Sequence, residues 1–159
     1  IGDSYMAAGG LPERNNSHPI DAILAALNIS QFVEMSAQNS DKNVPYLPIR
    51  IGIHTGKAVV GVIGKSRFAY DIWGETVNLA ARLESHSEEN SINISETTYE
   101  RVKDFFECEK RGEIDIKYLG KVPMFFVNRI KPQFSEDEDG IIPNRLFIRE
   151  YNSQVRNQD

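Results

Sequence analysis

The period of the apolar residues changes several times along this chain, and each change predicts an element. IGDSYMAA (1–8) reads as a strand with a tight turn at Gly2 and Asp3, broken by Gly9, Gly10, Leu11 and Pro12. Ser17 is placed to cap a helix, with Pro19 in its first turn, where proline is tolerated. Ile20, Ile23, Leu24 and Leu27 then recur at helical spacing, with Phe32 and Met35 further on, and the polar SAQNSDKN from Ser36 is read as the stop. In LPIRIGIHTG the period drops to two: Ile49, Ile51 and Ile53 share one face, Arg50, Gly52 and His54 the other, as in a half-buried strand. Residues 58–63 are apolar enough to predict a second, central strand, followed by a loop at Lys65, Ser66 and Arg67. Tyr70, Ile72 and Trp73 predict the end of a buried strand, and a helix begins near Thr76. Ile92 to Ile94 is a short strand. Ser95 caps a helix to about Phe106, with Glu96 near its positive end. Residues 114–118 and 122–128 form a hairpin about Leu119 and Gly120. SEDEDG (135–140) is a solvated acidic linker, and the tail beyond it carries Leu146, Phe147, Ile148 and Tyr151 for docking. This alternation predicts an α+β fold, a sheet with helices on one side. The division expected is 1–131 as a domain and 132–159 as linker and tail.

Charge narrows the partners. The 159 residues carry a net charge of −5, which argues against a nonspecific nucleic-acid binder, since that needs a basic face. One cysteine, Cys108, allows no internal disulfide and suits a reducing compartment, so the expected location is cytoplasmic. No apolar run reads as long enough to span a bilayer, and a membrane is expected only through segments outside this chain. IGDSYMAAGG reads as the middle of something, so the chain is taken as part of a longer protein.

Candidate chemistry concentrates in YDIWGETVNLAARLES (70–85). Asp71 sits at a strand end, and Asn78 and Arg82, four apart, share one face of the helix that follows. An acid, an amide and a guanidinium are thus fixed around one strand-to-helix turn. Each has a bland reading: Asp71 as a turn cap, Arg82 paired with Glu75 or Glu84, Asp3 as an ordinary Gly-Asp turn, Lys117 as a solvated hairpin lysine.

Three segments, IGDSYMAAGGLP, RIGIHTGKAVVGVIG and YDIWGETVNLAARLES, together resemble class III nucleotide cyclases, the adenylyl and guanylyl cyclase catalytic domain, from Ile1 to about Asn128. The resemblance implies a ferredoxin-like sheet with helices packed on it, lacking its N-terminal part, and a head-to-tail homodimer in which both chains build each active site. It implies that the ribose 3′-hydroxyl of ATP or GTP attacks the α-phosphate and expels pyrophosphate, with two divalent cations, Mg²⁺ or Mn²⁺.

By resemblance Asp3 is a metal ligand, Asp71 contacts the base, Asn78 positions the ribose, Arg82 binds the reacting phosphate and Lys117 holds the β- and γ-phosphates. Leu119 stands where relatives often have a second lysine. A carboxylate only accepts hydrogen bonds, so Asp71 suits the 6-amino group of adenine and opposes O6 of guanine. The expectation is therefore an adenylate cyclase acting on ATP. A guanylate cyclase, or a silent nucleotide-binding or dimerisation module of the same fold, is the alternative. The other metal aspartate and base selector would lie upstream of Ile1, so little turnover is expected from the chain alone.

Overall fold

A computed structural model describes residues 3–39, 46–63, 69–117 and 119–156. The elements run α1 (His18–Asn39), β1 (Arg50–Ile53), β2 (Val59–Ile63), β3 (Ala69–Trp73), α2 (Glu75–Ser85), β4 (Ser91–Ser95), α3 (Glu96–Val102), β5 (Phe106–Ile116), β6 (Gly120–Ile130), a 3₁₀ turn (Pro132–Phe134) and α4 (Arg145–Arg156). Four strands form one sheet in the order β1-β4-β6-β5, in which only β1 and β4 are parallel. β2 and β3 pair with each other in a separate antiparallel ribbon.

β4 shows how the sheet is covered. Ile92 and Ile94 point into a core with Ile20, Ile23, Ala26 and Leu27 of α1, Val102 of α3 and Phe125 and Val127 of β6. Asn93, between them, must point to the other face, and there it meets α2. Helices therefore cover both faces, not the one side that the sequence suggested. The reason is Gly52 on β1. A Cβ at Gly52 would lie 2.1 Å from the Glu84 nitrogen and 2.4 Å from the Ala80 oxygen. Only a bare backbone lets α2 lie directly on that strand.

Several boundaries move. Residues 3–8 form no strand among the described residues. α1 runs through Ser36, Ala37 and Gln38 to Asn39, since alanine and glutamine favour helix whatever their polarity. At its start the Ser17 hydroxyl donates to Asp21 at 2.8 Å. By length and composition α1 could cross a membrane, contrary to the sequence reading; here its apolar stripe from Ile20 to Leu27 lies in the core. α3 is shorter than expected. Ser95 caps it, accepting the Thr98 N–H at 3.3 Å, but the chain turns after Val102 so that Phe105 and Phe106 both reach the core. β5 and β6 are longer than expected, forming a hairpin of two eleven-residue strands.

The largest departure is β2. It is not central: Val59 and Val62 are 66% and 64% exposed on the ribbon. Beyond β6, residues 135–143 are more ordered than a solvated linker. Asp137 accepts hydrogen bonds from the backbone of Ile141 and Ile142 and from the Ser135 hydroxyl. Burial pushes the Asp137 carboxyl up, and these bonds outweigh it, leaving the group below its ordinary range. Asn144 caps α4 by accepting the Phe147 N–H at 3.0 Å. The Phe147 ring then sits 4.8 Å from Phe105 and 6.2 Å from Phe134, and the Tyr151 hydroxyl donates to Asp21 of α1 at 2.7 Å.

Candidate active site

Gly74 makes the turn between β3 and α2. Its φ of 131° is a conformation that side-chain-bearing residues rarely adopt, and its carbonyl accepts the N–H groups of Val77 and Asn78. The Thr76 hydroxyl donates to the Lys57 carbonyl, which ties the first turn of α2 to the chain between β1 and β2. Gly56 leaves room for this tie: a Cβ there would lie 2.6 Å from the Thr76 hydroxyl and 3.1 Å from Nε2 of His54. The apolar side of α2 is seated by Leu83, fully buried against Ile116 and Met124, with Leu79 beside them. With Leu79 and Leu83 facing the sheet, Asn78 and Arg82 face outward, and both are exposed.

Asp71 is not at a strand end. It is the middle residue of β3, paired with Gly61, because the strand continues until Gly74 ends it. Trp73 lies two residues on, so its ring shares a strand face with Asp71. A Cβ at Gly61 would come 3.1 Å from that ring. Asp71 is half-buried, and one of its oxygens accepts the N–H of Ile72 at 2.8 Å. Of the two alternative partners given for Arg82, Glu84 is taken elsewhere and binds Arg50 at 3.0 Å. Lys117 is exposed and follows Ile116, which packs on Leu83, so it lies at the rim of the same helix. Asp71, Asn78, Arg82 and Lys117 thus belong to one unit centred on α2. Asp3 stands on a different segment, near the start of the chain. It is exposed in a turn, on a segment that passes Gly9 and Gly10 against His18 and leads into α1. Lys65, Ser66 and Arg67, and Tyr118, lie outside the described residues.

The family model of the adenylate and guanylate cyclase catalytic domain matches residues 1–129. The chain belongs to this family. It is 36% identical over 126 residues to an adenylate cyclase of Mycobacterium tuberculosis, covering 79% of this chain and 28% of that protein. It is 37% identical over 130 residues to the guanylate cyclase soluble subunit beta-2 of Rattus norvegicus, covering 80% of this chain and 18% of that protein. Among solved structures, the guanylate cyclase domain of RhGC from Catenaria anguillulae in complex with GTP superposes with a TM-score of 0.70 at 32% identity, covering 77% of this chain and 65% of that one. This cyclase chain therefore spans less than a third of the length of these two curated relatives.

Both kinds of cyclase are matched at nearly the same identity, so overall similarity does not separate ATP from GTP. The donor set for a metal is right in kind and short in number. Asp3 offers the carboxylate oxygen that a hard divalent cation prefers, but no group of three metal-binding side chains occurs among the described residues. The other titratable groups are structural. His54 Nδ1 lies 2.7 Å from the Ser95 hydroxyl, and burial holds its pKa below the ordinary value. Burial pushes the Cys108 thiol up to about 11, which leaves it unreactive near neutrality.

Gly52, Thr76, Asn93 and Arg111 all hold α2 in place, and sequence reasoning singled out none of them. Gly52 had a signal: a glycine on the polar side of an otherwise regular strand marks close backbone approach. Arg111 had another, the Gly112 that follows it.

Proposed function

We propose that this domain is the catalytic portion of an adenylate cyclase, converting ATP to 3′,5′-cyclic AMP and pyrophosphate. The observation that carries the reading is Asp71, a half-buried carboxylate on the strand that leads into the Asn78 and Arg82 helix. At the position that contacts the base in relatives, this acceptor favours the adenine amino group over guanine O6. Asn78 would orient the ribose so that its 3′-oxygen faces the α-phosphate. The O3′–P bond forms, the bond to the β-phosphate oxygen breaks, and the hydroxyl proton passes to solvent. Arg82 would hold the non-bridging oxygens as charge builds on them, a role for which a planar guanidinium is better shaped than an ammonium. Lys117 would hold the departing pyrophosphate. Bound divalent cations, with Asp3 as one ligand, would add Lewis-acid stabilisation of the phosphates.

A homodimer is part of the proposal. The ribbon of β2 and β3 exposes Val59 and Trp73 on one face and Val60 and Val62 on the other, and exposed apolar surface on a domain is where a partner would sit. A site shared between two chains is what the resemblance implies for Asp3 and Arg82.

The test is Asp71→Cys in the full-length protein, assayed with ATP and GTP under identical conditions. One base contact is worth about 1–3 kcal/mol, so the ATP-to-GTP ratio should fall about 5- to 150-fold. An unchanged ratio assigns base selection elsewhere and reopens the guanylate cyclase reading.

A further inference from the structure

β5 and β6 lose register between Lys110 and Gly112. Lys110 pairs with Phe125 and Gly112 with Met124, so Arg111 is an extra residue with no partner across the ladder. Gly112 has a φ of +100°. This is a β-bulge, a device that re-aims one side chain. The side chain it re-aims is nearly buried, only 13% exposed. The Arg111 guanidinium stacks 4.2 Å from the centre of the Phe126 ring. One of its nitrogens donates to the His86 carbonyl at 2.7 Å, and the other lies 3.5 Å from the Glu88 carboxylate.

His86 is the residue that ends α2. There the Ser87 N–H turns to the Glu84 carbonyl, which strips the Leu83 carbonyl of its usual helical donor. The Asn93 side chain supplies one instead, at 2.8 Å, from a fully buried position on β4. The last turn of α2 is thus capped by two side chains of the sheet beneath it, one of them a cation at the negative end of the helix dipole. Arg82 stands in that turn, and its own carbonyl accepts both the N–H and the ring nitrogen of His86.

We infer that Arg111, aimed by the bulge at Gly112 and assisted by Asn93, is a positioning residue that fixes the last turn of α2 and so the guanidinium of Arg82. The inference rests on the reading of Arg82 as the phosphate-binding group. An arginine on a long side chain is useful in catalysis only if its root is rigid, because a small displacement of a charge-stabilising group costs much of its effect.

The test pairs a structural and a kinetic readout. Arg111→Met keeps an unbranched apolar stem and removes the charge and the donors. Amide hydrogen exchange on the chain should speed up at His86 and Ser87, and stay unchanged at Val77 and Asn78 at the far end of α2. In the full-length protein kcat should fall about 10- to 100-fold, with KM for the nucleotide within about twofold. Arg111→Lys should recover part of the loss. In an Arg82→Lys background the Arg111 substitution should have no further effect on kcat. Gly112→Ala is the second variant should Arg111→Met not fold. No atom lies within 4 Å of the added Cβ, so it acts only through the strained backbone, and it should reproduce the same pattern.

Unchanged exchange at His86 and Ser87 overturns the inference, as does faster exchange with kcat intact. If Arg82→Lys by itself leaves turnover intact, the role proposed for Arg82 fails. The catalytic link of Arg111 then falls with it, whereas the exchange result still reports whether Arg111 holds the helix.

Discussion

Gly52 is a position where one added methyl group has nowhere to go. The Cβ of an alanine would overlap the backbone of α2 at Ala80 and Glu84, and backbone cannot rotate aside as a side-chain tip can. Gly52→Ala should therefore push the helix off β1, at a cost of roughly 1–3 kcal/mol. A urea titration would register this as a lower midpoint with unchanged slope; an unchanged midpoint would mean that the strand and helix are not in contact. His54 makes a different demand. Burial lowers its pKa, so in the folded state it resists protonation. Below the ordinary value of 6.5 the unfolded chain binds the proton that the folded chain refuses, so stability rises with pH. The contribution is complete above about pH 6.5 and declines as the pH falls towards the folded-state pKa. His18, lowered by burial and by Arg101, acts in the same sense. Unfolding midpoints measured at neutral and mildly acidic pH should drop on acidification, and His54→Asn should flatten part of the drop. The candidate site was legible where function and spacing coincide. Asp71, Asn78 and Arg82 stand in one short run, and the resemblance of that run to the cyclases, not the residue types alone, is what points to a nucleotide. Asn93 and Arg111 were not legible, because they act on carbonyl groups of a distant segment, and a carbonyl has no signature in sequence.

Element starts could be read with more success than element ends. Ser17 and Ser95 mark helix starts through hydroxyls that bond within the first turn. Stops were misplaced because Ala37 and Gln38 favour helix although they stand in a polar run, and because tertiary packing of Phe105 and Phe106 ends α3 early. α4 is the element whose removal is easiest to interpret. Phe147 is 1% exposed among Phe105, Phe106 and Phe134. Phe147→Ala should cost about 3–5 kcal/mol, visible as a large fall in melting temperature. A fall no larger than that of a surface substitution would show that α4 is only loosely attached.

β2 shows why the assembly was the hardest level to read. VVGVI looks the same whether its own chain or another surface covers it. Composition records that a surface needs covering and not what covers it, so the expectation of a central strand failed while the apolar pattern behind it was correct. The proposed homodimer gives that surface an occupant and makes a quantitative forecast. Asp3→Ala and Arg82→Ala should each abolish or severely reduce turnover in a full-length homodimer; loss of one electrostatic donor costs about 10²–10³ in rate. When the two variants exchange subunits, each mixed dimer collects both lesions in one site and leaves the other intact. Random pairing makes about half the dimers mixed, by the symmetry of a twofold interface. Activity should return to roughly a quarter of the unsubstituted level. A mixture no more active than the two parents, with exchange verified by two affinity tags, would rule out the shared site.

The docking of Phe147 also bears on how the protein is made. The family match ends at residue 129, yet the aromatic core around Phe105 closes only when α4 arrives. During synthesis, a nascent chain that has already exposed every proposed catalytic residue still lacks its final wedge. A ribosome that stops early, within α4, would release a molecule with all of the chemistry and an open core. α4 thus lies outside the family match and yet completes the packing around Phe105, so the fold of this domain needs more of the chain than its proposed chemistry does.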